Sequence, residues 1–316
     1  MSTADATPLP ARYAYLGPEG TFTEAALLSL PEVAGAQTVP YPTVPLALDS
    51  VRHGGCTAAV VAMESSVEGA VTATMDELAG GDPLVIVREL VLPVTFALLT
   101  RPGADLADVK TVASHPVAQP QCRRWLAENL PHARWEAAQS NAQAAQLVRD
   151  GVYDAALAGA FAAARYELVV LADGVHDVTH AQTRFVLVTR PGRIPPRTGA
   201  DKTSVTVGLR DNHPGELREI LDHFASRGVN LCRIESRPTG QGMGSYFFFI
   251  DAEGHVEDAR VGDALSGLHR SCANVRFLGS YPRADGQDTP VQPGTSDGEF
   301  TEARGWLTDV RAGRAC

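Results

Sequence analysis

No part of this sequence is apolar for long enough to cross a bilayer. The longest apolar run, residues 90–99, is interrupted by Pro93 and Thr95 and falls well short of the ~20 residues a spanning helix requires. The opening residues, MSTADATPLPARYAYLG, lack the basic segment followed by an apolar one that marks a secretory signal, so a cytoplasmic protein without a membrane partner is expected. Basic charge is also scarce. The 27 Lys and Arg against 37 Asp and Glu leave a formal charge of −10, which offers no face for nucleic acid. A small acidic ligand is still compatible with that charge, because a local basic pocket can form on an acidic protein. The five cysteines, Cys56, Cys122, Cys232, Cys272 and Cys316, are odd in number, far apart and without a CxxC pair. That speaks against a disulfide framework or a zinc site and suits reduced thiols. The Gly-x-Ser-x-Gly elbow of hydrolases is missing as well.

What is present is ordinary globular sequence. It is 44% hydrophobic and 20% charged over 316 residues, enough for one large domain or two to three smaller ones. Up to about residue 190, strand and helix patterns alternate. RYAYL (12–16) reads as a strand, and GPEGTFTEAALLSL (17–30) as a Gly-rich turn opening a helix that Pro31 ends. Thr21 and Glu24 have capping-box spacing there. A helix capped by Thr43 and closed by Gly54 and Gly55 follows, then a strand at 56–63, a helix at 68–81, and strands at 84–90 and 92–100. Strands at 109–113, 133–138 and 154–159 alternate with helices at 115–130, 140–151 and 162–168. This pattern predicts mainly parallel sheet covered by helices. The strand FVLV (185–188) can rejoin the first lobe, giving two lobes and a cleft. Ligands of such sheets sit at the carboxyl ends of strands, near helix N-termini.

PGRIPPRTGADK (191–202) is the clearest linker, being rich in Pro, Gly and charge. Beyond it the order is strand, helix, strand, strand, helix, strand, the ferredoxin-like βαββαβ plan. Leu217, Ile220, Leu221 and Phe224 form the apolar stripe of its first helix, and Val261, Leu265 and Leu268 that of its second. The expected boundaries are 12–190 for a two-lobed domain, 203–282 for the second domain, and 283–316 for a mostly flexible tail with a short helix at 301–312.

Four stretches combine polar side chains with turn residues at strand ends. GPEGTFTE (17–24) offers a tight turn and a helix start that favours an anion. ESSVEGAV (64–71) presents Glu64, Ser65 and Ser66, and SHP (114–116) presents Ser114 and His115. In HAQTRFVLV (180–188), Thr183 and Arg184 stand at the mouth of a core strand, where Arg184 could grip a carboxylate with two bonds. Each alone also fits a turn, a cap or a surface strand end. Together they fall where a cleft should be.

On these residues the chain resembles the prephenate dehydratase family with a C-terminal ACT regulatory domain, from about residue 13 to residue 282. The likeness rests on GPEGTF (17–22), on ESSVEGAV (64–71) against ENSxxGxV, on SHPVAQPQC (114–122) against SHPQALxQC, and on TRF (183–185). In the second domain it rests on DNHPGEL (211–217) and RIESRP (233–238). The resemblance implies a type II periplasmic-binding-protein-like α/β catalytic domain and a ferredoxin-like ACT domain that senses phenylalanine. It implies conversion of prephenate to phenylpyruvate with loss of water and carbon dioxide, in phenylalanine synthesis. No cofactor or metal is implied, which fits the absence of a dinucleotide fingerprint or P-loop. Thr183 would assist departure of the hydroxyl, Arg184 would position a carboxylate, and Phe185 would pack the wall. Glu64, Ser65, Ser66, Ser114, His115 and Thr21 would complete the site. Phenylalanine would bind at Asn212, Pro214, Gly215, Leu217, Glu235, Ser236, Arg237 and Pro238. ACT sheets paired between subunits imply a homo-oligomer, dimer or tetramer.

The departures touch the same cleft. Ser65 stands where the family carries an Asn, Ala62-Met63 where it carries Pro-Ile, and His180 is the nearest substitute for an Asn expected before TRF. Glu216 replaces an Ala and is expected to weaken effector binding. These changes leave two alternatives beside the dehydratase: a prephenate decarboxylase that does not aromatise its product, and a non-catalytic amino-acid sensor. Arogenate in place of prephenate is a further alternative that no residue decides.

Overall fold

The first strand, β1 (Arg12–Leu16), buries Tyr13, Ala14 and Tyr15 and runs out into Gly17. A computed structural model describes residues 11–210, 213–240 and 246–314. After β1 come α1 (Phe22–Leu28), β2 (Gln37–Tyr41), α2 (Val44–Arg52), β3 (Ala58–Ser65), β4 (Gly69–Ala70), α3 (Thr72–Ala79) and β5 (Val85–Pro93). Next are β6 (Ala97–Thr100), β7 (Thr111–Ser114), α4 (Ala118–Gln121), α5 (Arg123–Asn129), β8 (Arg134–Ala137) and α6 (Asn141–Arg149). The series closes with β9 (Ala155–Ala158), α7 (Ala162–Arg165), β10 (Val169–Ala172) and β11 (Gln182–Thr189).

These strands form two sheets, ordered β2-β1-β3-β11-β5 with β4 on β3, and β10-β6-β9-β7-β8. Both are mixed. β1 runs parallel to β2 and β3, and β7 parallel to β8 and β9, whereas β11 returns antiparallel on β3 and β6 antiparallel on β9. The parallel part matches the alternating sequence, and FVLV does rejoin the first sheet. The antiparallel strands correct the expectation of mainly parallel sheet. β6 follows β5 after residues 94–96 and β11 follows β10 after residues 173–181, neither through the crossover helix that a parallel neighbour needs.

Two helices differ from their sequence expectation. The stretch 115–130 is broken at Cys122 (φ −119°, ψ 12°) into α4 and α5. Pro120 brings no N–H to the first piece. The Asp177 carboxylate starts the second, accepting the backbone N–H groups of Arg124 at 2.7 Å and Trp125 at 3.3 Å. The helix expected at 68–81 begins only at Thr72, because Gly69 (φ +79°) turns the chain so that Glu64 and Ser65 pair with Ala70 and Gly69.

The chain divides into two compact units, one of residues up to Thr74 with Leu90–Arg190, the other of Met75–Glu89 with the residues from Pro191 onward. The second holds β12 (Asp201–Gly208), α8 (Glu216–Ala225), β13 (Leu231–Pro238), β14 (Tyr246–Glu253), α9 (Ala259–Ser271), β15 (Asn274–Pro282) and α10 (Asp297–Arg311). Its sheet order, β13-β14-β12-β15, is antiparallel throughout, as βαββαβ requires. One face packs on α8 and α9 through Val205, Val207, Ile220, Phe224, Ile250 and Val261. Leu217, expected in that stripe, is 40% exposed, so Ile220 and Phe224 carry α8. Over the other face lie residues 75–89. Arg237 grips the Asp76 carboxylate with two bonds of 3.0 and 2.6 Å, and Arg276 donates to the carbonyls of Leu78, Gly80 and Gly81. Gly279 (φ +140°) lets β15 approach so closely that any side chain there would strike the Ile86 carbonyl.

The segment expected as a linker is anchored. Arg197 bonds both Asp258 and Asp297, and fully buried His255 holds the Pro195 carbonyl at 3.0 Å. The C-terminal helix α10 begins four residues before the expected start at 301, because Ser296 and Glu299 form a capping box.

Candidate active site

The carboxyl ends of β1 and β3 and the start of the antiparallel β11 lie at one edge of the first sheet. There Thr183 stands opposite Ser65 and Arg184 opposite Glu64. Directly opposed residues share a face of the sheet and neighbours along a strand alternate, so Thr183 with Ser65 and Arg184 with Glu64 flank the same edge from its two faces. Arg184 is buried at 9% exposure, with its Nη1 3.9 Å from Glu64 Oε2. A β-bulge follows at once, between Arg184 and Phe185. The extra residue is Met63, whose carbonyl accepts the Val71 N–H. Thr74 donates its hydroxyl to the Ala62 carbonyl at 2.6 Å. The bulge therefore sits on Ala62-Met63, where the pattern had departed from Pro-Ile, and re-aims the Glu64 end of the strand.

Around this pair the hydroxyls divide by what they already hold. Ser66 and Gln182 are locked reciprocally: the Ser66 N–H donates to the Gln182 carbonyl, and the Gln182 N–H to Ser66 Oγ, both at 2.9 Å. Ser65 Oγ accepts the N–H groups of Val67 and Glu68 at 3.2 and 3.3 Å, so it shapes the turn. Thr183 is half-buried, and its hydroxyl has no hydrogen-bond partner among the described residues. Phe185, 1% exposed, belongs to the core beneath. His180 lies exposed in the turn before β11 and is not drawn into this cluster.

An open cleft of about 810 Å³ separates the ends of β1 and β2 from the second lobe, lined by Thr21, Thr23, His115, Ser140, Asn141 and Gln143 among others; Glu64, Thr183 and Arg184 are not among its lining residues. Phe22, at the start of α1, closes one side by packing edge-on against Phe96 and Phe161 of the second lobe. Burial pushes the His115 imidazole below its usual range, and the Glu68 carboxylate partly opposes that. Glu68 belongs to the turn that follows Glu64, Ser65 and Ser66, so that turn lies within electrostatic reach of His115. The ring accepts the Val117 N–H at Nδ1, which leaves the proton on Nε2. The Asn141 carboxamide oxygen accepts the His115 N–H at 2.8 Å.

Two residues expected to touch substrate hold structure. Thr21 donates to the Leu16 carbonyl and accepts the Glu24 N–H, capping α1, while Glu24 reaches back to the Gly20 N–H. Ser114 is fully buried and accepts the Trp135 indole N–H at 2.8 Å. Thr23 and Asn141 line the cleft without having been singled out in the sequence. Asn141 follows a strand and opens a helix, the same signal that drew attention to SHP.

In the second unit, Pro214 and Gly215 (φ +100°) are exposed at the N-terminus of α8, with Leu217 as its second residue. Glu235, Ser236, Arg237 and Pro238 end β13. Asn212 lies outside the described residues. Glu216 is turned inward at 9% exposure and accepts the Arg210 N–H at 2.7 Å, so it braces the loop entering α8.

Fold and site together define a class: a two-lobed α/β enzyme with its site at strand ends, joined to a ferredoxin-like regulatory domain. The family model described as prephenate dehydratase matches residues 13–193, and the ACT domain model matches residues 203–270. The chain belongs to the prephenate dehydratase family. It is 49% identical over 311 residues to a prephenate dehydratase of Mycobacterium tuberculosis, covering 96% of this chain and 95% of that one. It is 49% identical over 303 residues to that of Amycolatopsis methanolica, covering 96% and 98%. Prephenate dehydratase from Arthrobacter aurescens, solved in complex with L-Phe, superposes with a TM-score of 0.91 at 51% identity, covering 96% of this chain and all of that one. GqqA, described as a novel type of quorum-quenching acylase, superposes with a TM-score of 0.76 at 30% identity, covering 89% and 98%.

Proposed function

We propose that this protein is a prephenate dehydratase, converting prephenate to phenylpyruvate, water and carbon dioxide, and that phenylalanine regulates it through the ACT domain. One observation carries the chemistry. Thr183 presents a hydroxyl with no partner among the described residues, beside a buried Arg184 set against Glu64.

Prephenate needs little help to react, because its product is aromatic. The bond from the ring to its carboxylate breaks, and that electron pair moves through the diene. The bond to the ring hydroxyl breaks at the opposite carbon, and the departing oxygen leaves as water once a proton reaches it. Thr183 is placed to donate a hydrogen bond to that oxygen as charge grows on it. A threonine is too weak an acid to act by proton transfer alone, so the Glu64–Arg184 pair is assigned the local field that supports it. Ser65 works as an acceptor for its turn, so its substitution for Asn leaves Glu64 opposite Arg184 and Thr183 opposite Ser65. That favours the dehydratase over a non-aromatising decarboxylase.

The solved relative holding L-Phe supports the regulatory reading. The site residues named for both ligands, apart from Thr21, Ser114 and His180, a homo-oligomer joined through ACT sheets, and a cytoplasmic location belong to the same proposal. Among the described residues, no helix is long and apolar enough to cross a membrane. The test is Thr183→Ala. Turnover should fall by at least about 100-fold, the lower end of what a positioned proton-handling group contributes, with thermal unfolding unchanged. Near-normal turnover would remove Thr183 from the mechanism.

A further inference from the structure

The interlobe cleft has no charged side chain among its lining residues, and the polar groups around the N-terminus of α6 point the same way chemically. Asn141 has its carboxamide oxygen occupied by the His115 N–H. A backbone N–H can only donate, so the atom facing it is the oxygen, and the NH₂ is what remains for the cleft. His115 is in the same position, its Nδ1 held by the Val117 N–H and its Nε2–H left over. Gln143 follows suit, its Oε1 accepting the Gln139 N–H at 2.7 Å.

At the start of α6, Ser140 Oγ takes the Gln143 N–H. The N–H groups of Asn141 and Ala142 have no acceptor among the described residues. From the opposite lobe Thr23 lines the same cleft. It is 7% exposed, and its hydroxyl has no partner among the described residues. Around the N-terminus of α6 the cleft thus concentrates donors, and the acceptors of Asn141, His115, Gln143 and Ser140 are already engaged. A carboxylate, which only accepts, fits it.

We propose that the N-terminus of α6, with Asn141, His115 and Thr23, is the subsite for the side-chain carboxylate of the substrate. This rests on the dehydratase reading above, and the chemistry then decides between prephenate's two carboxylates. The ring carboxylate must lose its charge as carbon dioxide forms. Strong donors on it would stabilise the ground state more than the transition state and slow the reaction. The pyruvyl carboxylate keeps its charge from start to finish, so it can be gripped without that penalty. Neutral donors and a helix terminus suffice for it. The one carboxylate that reaches His115, Glu68, opposes an anion there.

The experiment measures prephenate kinetics and, by calorimetry, binding of phenylpyruvate, which carries only the side-chain carboxylate. Asn141→Asp keeps an acceptor for the His115 N–H and replaces the donor with a negative oxygen. Thr23→Val removes only the hydroxyl. Losing hydrogen bonds to a charged group costs roughly 10- to 100-fold each. Asn141→Asp should therefore raise the KM for prephenate and the Kd for phenylpyruvate by about 100-fold, with kcat within about threefold. Thr23→Val should raise both by about tenfold. A KM and Kd unmoved in both variants, or a fall in kcat at constant KM, would overturn the subsite. A raised KM with phenylpyruvate affinity intact would assign the cleft to the ring carboxylate instead and overturn it equally. A wild-type protein that left prephenate untouched would sink the dehydratase reading, while phenylpyruvate binding would still report on the subsite.

Discussion

At the residue scale, function turns on which polar groups still have hydrogen-bonding capacity after folding. Thr21, Ser65 and Ser114 all look like ligand groups in the sequence, and all are used by the fold. Thr183 keeps its hydroxyl, Asn141 keeps its NH₂ and His115 its Nε2–H. Glu64, Thr183 and Arg184 were legible because a charge at the mouth of an apolar strand needs an explanation. Thr23 and Asn141 were not, since capacity left over is a property of the folded partners. His115 gives a pH test of this picture. Burial lowers its pKa below the ordinary value of 6.5, so the fold favours the neutral ring. Its contribution to stability is complete above the unfolded value and is lost as pH falls through the folded one. His115→Gln should therefore lose less thermal stability than wild type on acidification from pH 7.5 to about 5. Parallel losses would mean that His115 is not held neutral by its surroundings.

At the element scale, periodicity located most strands and helices, and the misplacements have local causes. Asp177, distant in sequence, restarts a helix at Arg123. Gly69 and the pairing of β4 shorten α3. The bulge on β3 left no signature beyond Ala62-Met63 itself. Residues 76–81, the end of α3 and the turn after it, are fastened to the ACT sheet by Arg237 and Arg276. Arg237 is also where an amino-acid effector is proposed to bind, so ligand and Asp76 address the same guanidinium. Asp76→Asn should shift the phenylalanine concentration for half-inhibition several-fold, because one side of that exchange is weakened. Unchanged inhibition would show that this ion pair does not take part in the response.

At the scale of the whole molecule, the βαββαβ order and the alternating first part were readable because each strand or helix announces itself locally. The membership of residues 75–89 in the second unit was not. Nothing in MDELAGGDPLVIVRE says which sheet it will cover, and the glycine that admits it, Gly279, lies almost 200 residues away. The molecule therefore places a stretch of the catalytic sequence against the ACT sheet while the sheet edge of the first unit gathers Glu64, Thr183 and Arg184. The most direct measurement is to incubate the intact protein with prephenate and follow the appearance of phenylpyruvate. The account predicts that phenylpyruvate and carbon dioxide form in equal amounts. Loss of prephenate with carbon dioxide released but no aromatic product would contradict it.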